Sequence, residues 1–201
     1  ECTPIGICGS GIIDLICQML LKGIIDRRGK IKKELDNKRI RFNEHDIGEY
    51  VLAFKEEYAD LENDLFINEI DIDNFIRTKG AIYSGASVLV ESLGMDFEVI
   101  DNVYIAGGIG NNLDIENSIL IGLLPDVDRS KFKYIGNSSL VGSYLSLISS
   151  DARQKLEEIG SQMTYVELSV YPTYMDEFIS ACFLPHTNIE QFPTVKAILG
   201  E

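Results

Sequence analysis

Val99-Ile100-Asp101-Asn102-Val103-Tyr104-Ile105-Ala106 runs straight into Gly107-Gly108-Ile109-Gly110-Asn111-Asn112. The first eight residues are largely apolar with several β-branched members, the length and composition of a buried strand. The strand then meets three glycines in four residues. A backbone without Cβ atoms can turn sharply and lie against a flat ligand, and open α/β sheets bind ligands at the carboxyl ends of their strands. The stretch therefore reads as a strand-to-helix turn facing a ligand; a tight turn with no ligand is the alternative.

Downstream, Asp114 starts a helix that Pro125 ends, and Phe132 to Ile135 gives a short strand. Gly136-Asn137-Ser138-Ser139 turns into a helix to Ile148 with a small-residue face of Ser139, Gly142, Ser143 and Ser146. A polar helix over 151–161, a strand over 165–168 and a helix over 174–183 follow, with Leu184-Pro185-His186 and a loose tail. Upstream, a helix from Asp73, read as its N-cap, runs to Leu93 before Gly94. Its Gly80, Ser84 and Ser87 form a face nearly without side chains, where either another helix or a flat ring would fit; the sequence favours the helix. A first helix spans 10–23, with polar Asp14, Gln18 and Lys22 four residues apart. Gly9-Ser10-Gly11 at its mouth suits phosphate contact, although Ser10 equally suits a cap. Strands alternating with helices give an α/β architecture with a partly parallel sheet. Residues 24–70 read as a small α+β subdomain inserted between 1–23 and 71–201, with strands near 39–42, 50–54 and 65–67.

The 201 residues carry 18 basic and 32 acidic side chains, a net charge of −14, which repels a nucleic-acid backbone. Residues 26–44 invert that sign, with eight basic against four acidic side chains, and suit a solvated tip or a patch for an acidic partner. No apolar stretch is long enough to span a membrane. Cys2, Cys8, Cys17 and Cys182 form no CxxC pair, which fits a reduced cytoplasmic protein, with Cys17 and Cys182 in the core and Cys2 and Cys8 exposed. The start at Glu1, already close to a glycine-rich turn, reads as part of a longer polypeptide. P-loop, dinucleotide-fingerprint and nucleophile-elbow patterns are missing, and His45 and His186 have no partner at catalytic spacing.

Four pieces in order carry a resemblance: Gly6-Ile7-Cys8-Gly9-Ser10-Gly11-Ile12-Ile13-Asp14; Lys79-Gly80-Ala81-Ile82-Tyr83-Ser84-Gly85; Val103 to Asn111; and Ile121-Gly122-Leu123-Leu124-Pro125-Asp126 with Gly136 to Ser139. Together with 165–169 and 183–186 they resemble the C-terminal part of reductive activators of corrinoid proteins. The resemblance implies an actin-like, ribonuclease H-like ATPase lobe that binds ATP or ADP with Mg between two lobes. It further implies that an iron–sulfur cluster outside this chain supplies an electron to a cobalt(II) corrinoid protein, the partner, restoring cobalt(I) for methyl transfer. In such a fold Gly107, Gly108, Gly110 and Asn111 contact the adenosine, and Lys79 and Tyr83 reach the adenine and ribose. Gly142 and Ser143 pack across the hinge, and a purine lies between the glycine turn and the small face of the long helix. No catalytic residue is assigned, hydrolysis by this chain alone is not expected, and a homodimer is open. A non-catalytic interaction module and a lobe of a small-molecule kinase are the competing readings.

Overall fold

In the computed structural model residues 3–58 and 60–200 are described, so Cys2 lies outside them. The first helix, α1 (Gly9–Leu21), buries Ile13, Ile16, Cys17, Met19 and Leu20. It ends two residues before Gly23, whose φ of +66° turns the chain back. An isolated bridge pairs Ile25 with Ile31. A three-stranded antiparallel sheet follows, in the order β1 (Ile40–Phe42), β2 (Gly48–Ala53), β3 (Leu65–Asn68). Arg41 fastens it by pairing with Glu49 at 2.7 Å and with Asp64. Ile25, Ile31 and Ile67 are buried in one core with α1 and the long helix.

That helix, α2 (Glu69–Ser92), begins without a loop at the end of β3. The expected cap at Asp73 is corrected to Asn68. Its side chain accepts from the N–H of Ile70 and Asp71, while Asp71 accepts from the N–H of Asn68. This reciprocal capping box satisfies donors that Asp73, one turn inside the helix, cannot reach. Gly80 meets helix α7 (Tyr174–Ala181): a Cβ there would lie 3.2 Å from Cys182 Sγ and 3.3 Å from the Ala181 carbonyl. The small face is thus filled by a helix, which corrects the expectation of a purine against it.

The second sheet is parallel. β4 (Val103–Ile105) pairs with β5 (Phe132–Tyr134) in the register Val103–Phe132, Tyr104–Lys133, Ile105–Tyr134. The single turn α3 (Gly107–Gly110) and α4 (Ile115–Leu120) make the crossover. β4 is shorter than expected because Asp96 caps a 3-10 turn over 97–99. Tyr104 stands exposed, so this strand is buried on one face only. α5 (Ser138–Ile148) and α6 (Ser150–Gln162) form a hairpin with no buried residue.

Two further expectations need correction. Residues 165–168 form no strand, because Glu167 folds back to cap a 3-10 turn over 168–170. The tail is not loose: α8 (Pro193–Leu199) opens on a proline at its first position and closes on Gly200 at φ +73°, with Phe192 and Val195 buried.

Gly122, at φ +77°, brings the end of α4 against residue 185, where a Cβ would come within 2.2 Å of the Pro185 carbonyl oxygen. Gly122→Ala is expected to cost about 3 kcal/mol of unfolding free energy, combining left-handed strain with a backbone clash. Gly142→Ala, in a helix interior with nothing within 4 Å, is expected to be neutral or stabilising by up to about 1 kcal/mol. Chemical denaturation of the two variants side by side checks the contrast.

Candidate functional site

The carboxyl ends of β4 and β5 open into two glycine turns that bond to each other. Ile135 N–H donates to the Ile105 carbonyl at 3.0 Å, and Gly107 N–H donates to the Gly136 carbonyl at 2.9 Å. Gly107 sits at φ +93°, which an L side chain rarely adopts. Cβ atoms at Gly107, Gly108 or Gly136 would find no heavy atom within 4 Å. Gly110 differs, being buried with its missing Cβ 2.9 Å from Ile105 Cγ2, so this glycine lets the turn pack on the strand. Asn111 is exposed at the C-cap of the same turn.

The third glycine motif comes to the same place. Ile109 Cδ1 lies 3.6 Å from where a Cβ of Gly9 would be. A polar chain fixes α1 against α4: Asn117 donates its amide to Asp14 Oδ1 at 2.7 Å and accepts the Cys17 thiol at 3.0 Å. Asp14, next to a mouth suited to anions, therefore has its carboxylate engaged. Burial, with Asp14 and Asp114 nearby, pushes the Cys17 thiol up to about 11 and keeps it protonated. Ser10 is not the cap of α1. The N-cap is Cys8, whose side chain makes no regular capping hydrogen bond, so the first turn of α1 lacks the usual side-chain cap. Ser10 instead lies 3.4 Å from Cys8 Sγ, and its hydroxyl together with the Gly11 N–H lowers the pKa of that exposed thiol.

Lys79 and Tyr83 are engaged elsewhere. Lys79 is 1% exposed. Its ammonium donates to the carbonyls of Phe183 and Pro185, the latter at 2.5 Å. Burial lowers its pKa to about 7, with the nearby Cys182 acting weakly in the opposite direction. Tyr83 packs its ring 5.4 Å from Phe192 and 5.7 Å from His186 and donates its hydroxyl to Gln191 at 3.3 Å. Burial, followed by Glu177 and Asp126, pushes that hydroxyl well above the ordinary tyrosine range. His186 is 2% exposed and accepts the Asn188 N–H on Nδ1. Its Nε2 faces Glu177 Oε1 at 3.7 Å and holds that carboxyl below its usual range; neither atom has a hydrogen-bond partner among the described residues. Gly142 and Ser143 are exposed on α5, where the Ser143 hydroxyl donates to the Ser139 carbonyl.

Gly136 and Asn137 were named in the sequence as a turn but not as site residues. The signal was a second strand ending in glycine, since parallel neighbours end on the same side of a sheet. Among the described residues no three His, Cys, Asp or Glu side chains converge as metal ligands. No described helix is long and apolar enough to cross a membrane.

A family model described as the C-terminal domain of RACo, the ASKHA domain, matches residues 1–196. The corrinoid activation enzyme RamQ of Eubacterium limosum is 30% identical over 182 residues, 88% of this chain and 31% of that protein. A solved structure of a reductive activator for corrinoid, iron–sulfur protein superposes with a TM-score of 0.87 at 48% identity, covering 95% of this chain and 30% of that one. The chain spans about a third of the length of these relatives.

The buried ammonium makes stability depend on pH with a definite sign. The folded pKa of Lys79 lies below the unfolded 10.5, so between about pH 7 and 10.5 the unfolded chain binds more protons and stability rises with pH. The slope from this group is at most about 1.4 kcal/mol per pH unit. Lys79→Met removes that increment and leaves two carbonyls unpaired, at a cost of about 2 kcal/mol. Urea titrations from pH 7 to 9 measure both; a variant with the wild-type pH slope would refute the assignment.

Proposed function

The chain belongs to the family of RACo C-terminal ASKHA domains, and from that premise we propose that it is the nucleotide-binding part of an ATP-dependent activator of corrinoid proteins. Its fold is the actin-like α/β fold of that family. The observation that carries the reading is the meeting of three glycine turns, at 9–11, 107–110 and 136, beside the ends of a parallel strand pair.

Gly107 and Gly108 present bare backbone over open space, the shape a purine or ribose face requires. The N-terminus of α1, without a regular side-chain cap, suits phosphate oxygens, and the Asp14 carboxylate in its first turns is engaged by the Asn117 amide. Lys79 and Tyr83 act through the frame, holding α2 on the segment that follows α7, rather than by contact. Asn111 at the exposed edge of the turn orients what binds there. Bound Mg-ATP supplies the free energy by which two lobes close, and closure changes the surface offered to a partner only by as much as nucleotide prefers the closed state. In the activator as a whole, one electron from an iron–sulfur centre outside this chain converts cobalt(II) in the corrinoid protein to cobalt(I), the state used for methyl transfer. This chain contributes the switch and not the redox centre.

Gly108→Val separates this reading from that of an interaction module. Its Cβ enters open space, so the fold should tolerate it with an unchanged Tm. Calorimetric titration of Mg-ATP and Mg-ADP into the intact activator should show at least about tenfold weaker binding for the variant, a loss of about 1.4 kcal/mol. Equal affinity of variant and wild type would remove the adenosine from this turn.

A further inference from the structure

Away from the glycine turns, a cavity of about 520 Å³ lies between the end of α1, the turn at 23–32 and the segment after α7. Its floor is apolar, with Leu20 and Ile25 buried and Phe183 and Leu199 half-buried. Its rim is basic. Four of the eight cations of the 26–44 stretch are ion-paired: Lys30 with Glu69, Lys33 with Asp46, Arg39 with Glu57, and Arg41 with Glu49 and Asp64. Arg28 and Lys32, both on the cavity, have no ion-pair partner among the described residues. The acid on the wall, Asp26, is committed to the turn, where its Oδ1 accepts the N–H groups of Arg28 and Lys30 at 2.8 and 2.9 Å.

One of these two cations is held by a ring. The Arg28 guanidinium lies 5.6 Å over the centre of the Phe183 ring. Lys32 is half-buried, with Nζ 3.6 Å from where a Gly23 Cβ would be; at Gly23, φ +66°, no side chain narrows the mouth. The wall behind them is stiff, because Arg27 donates to the carbonyls of Leu184 and His186 at 3.0 and 2.5 Å.

We infer that this cavity is the docking seat for an acidic segment of the partner protein, one that carries carboxylates beside an apolar side chain. The inference rests on the corrinoid-activation reading, which supplies the partner. Charge complementarity selects the occupant. The chain is −14 overall, whereas the cavity lining carries Arg27, Arg28 and Lys32 against Asp26 alone, a local basic excess on a net-acidic molecule. An acidic partner is therefore steered to this corner, and the apolar floor rewards a side chain that a free inorganic anion lacks.

The test is surface plasmon resonance of the intact activator against its corrinoid protein at low and high ionic strength. Arg28→Glu with Lys32→Glu is expected to weaken binding about tenfold, chiefly in the association rate, and to flatten the salt dependence. Arg28→Gln with Lys32→Gln should give an intermediate loss, and Lys155→Glu on exposed α6 should give none. Mg-ATP affinity should stay at the wild-type value in all three. If the wild type binds and both cavity variants match it in affinity and salt slope, the docking seat is wrong while the activator reading stands. If the wild-type protein fails to bind the corrinoid protein at all, both fall together.

Discussion

Four consecutive carbonyls, from Phe183 to His186, are each gripped by a cation from elsewhere in the chain. Lys79 takes those of Phe183 and Pro185, and Arg27 takes those of Leu184 and His186. A segment without regular structure leaves its backbone acceptors to be satisfied individually, and burial makes each unpaired one costly. Two side chains solve the whole run, one from each side. The return bond, from Leu184 N–H to the Arg27 carbonyl at 2.9 Å, closes the clasp. Around it the long helix, α7, the 23–32 turn and the Gly122 turn take their places, since Leu184 is fully buried and Gly122 rests on Pro185.

This frame places the glycine turns without touching them. α1 is pinned to α4 through Asn117, and α4 is pinned to α8 through Arg129, which donates to Glu116 and to the Thr194 hydroxyl at 2.9 Å, while Asp126 accepts the Thr194 N–H and hydroxyl at 2.7 Å. α8 in turn packs Phe192 on Tyr83. The mouth of α1 and the end of β4 are therefore brought together by side chains that point into the protein, while the surface they create carries almost no side chains. A site made of backbone depends on such a frame, because it has few contacts of its own to hold its geometry.

What could be read from the residues follows from this division. The strand ending in Gly107-Gly108, the glycine mouth of α1 and the partly parallel sheet were legible, because glycine runs and β-branched runs are local signals. The start of α2 was misplaced although Asn68 and Asp71 stand at capping-box spacing, because Asp73 is an equally good cap by type and the loopless junction with β3 hides the boundary. α8 carried its signature in Pro193 and Gly200, yet read as tail because it is too short for a helical period to show. The inward course of Lys79 was not legible at all. A lysine within an amphipathic pattern reads as solvent-facing, and the acceptors that draw it inward lie more than a hundred residues away.

That separation bears on the order in which the chain takes shape. Loops of 104 and 157 residues must close before Lys79 and Arg27 find Phe183 and Leu184, and contacts so distant in sequence form late. During synthesis, α1, the three-stranded sheet and α2 all emerge before their clasp exists. Until residue 183 arrives, the Lys79 amine has water where its carbonyls will be, so α2 must present an ammonium on the face it later buries. The lysine thus keeps the unfinished helix soluble on that face and becomes an internal fastener only when the segment that answers it has been made.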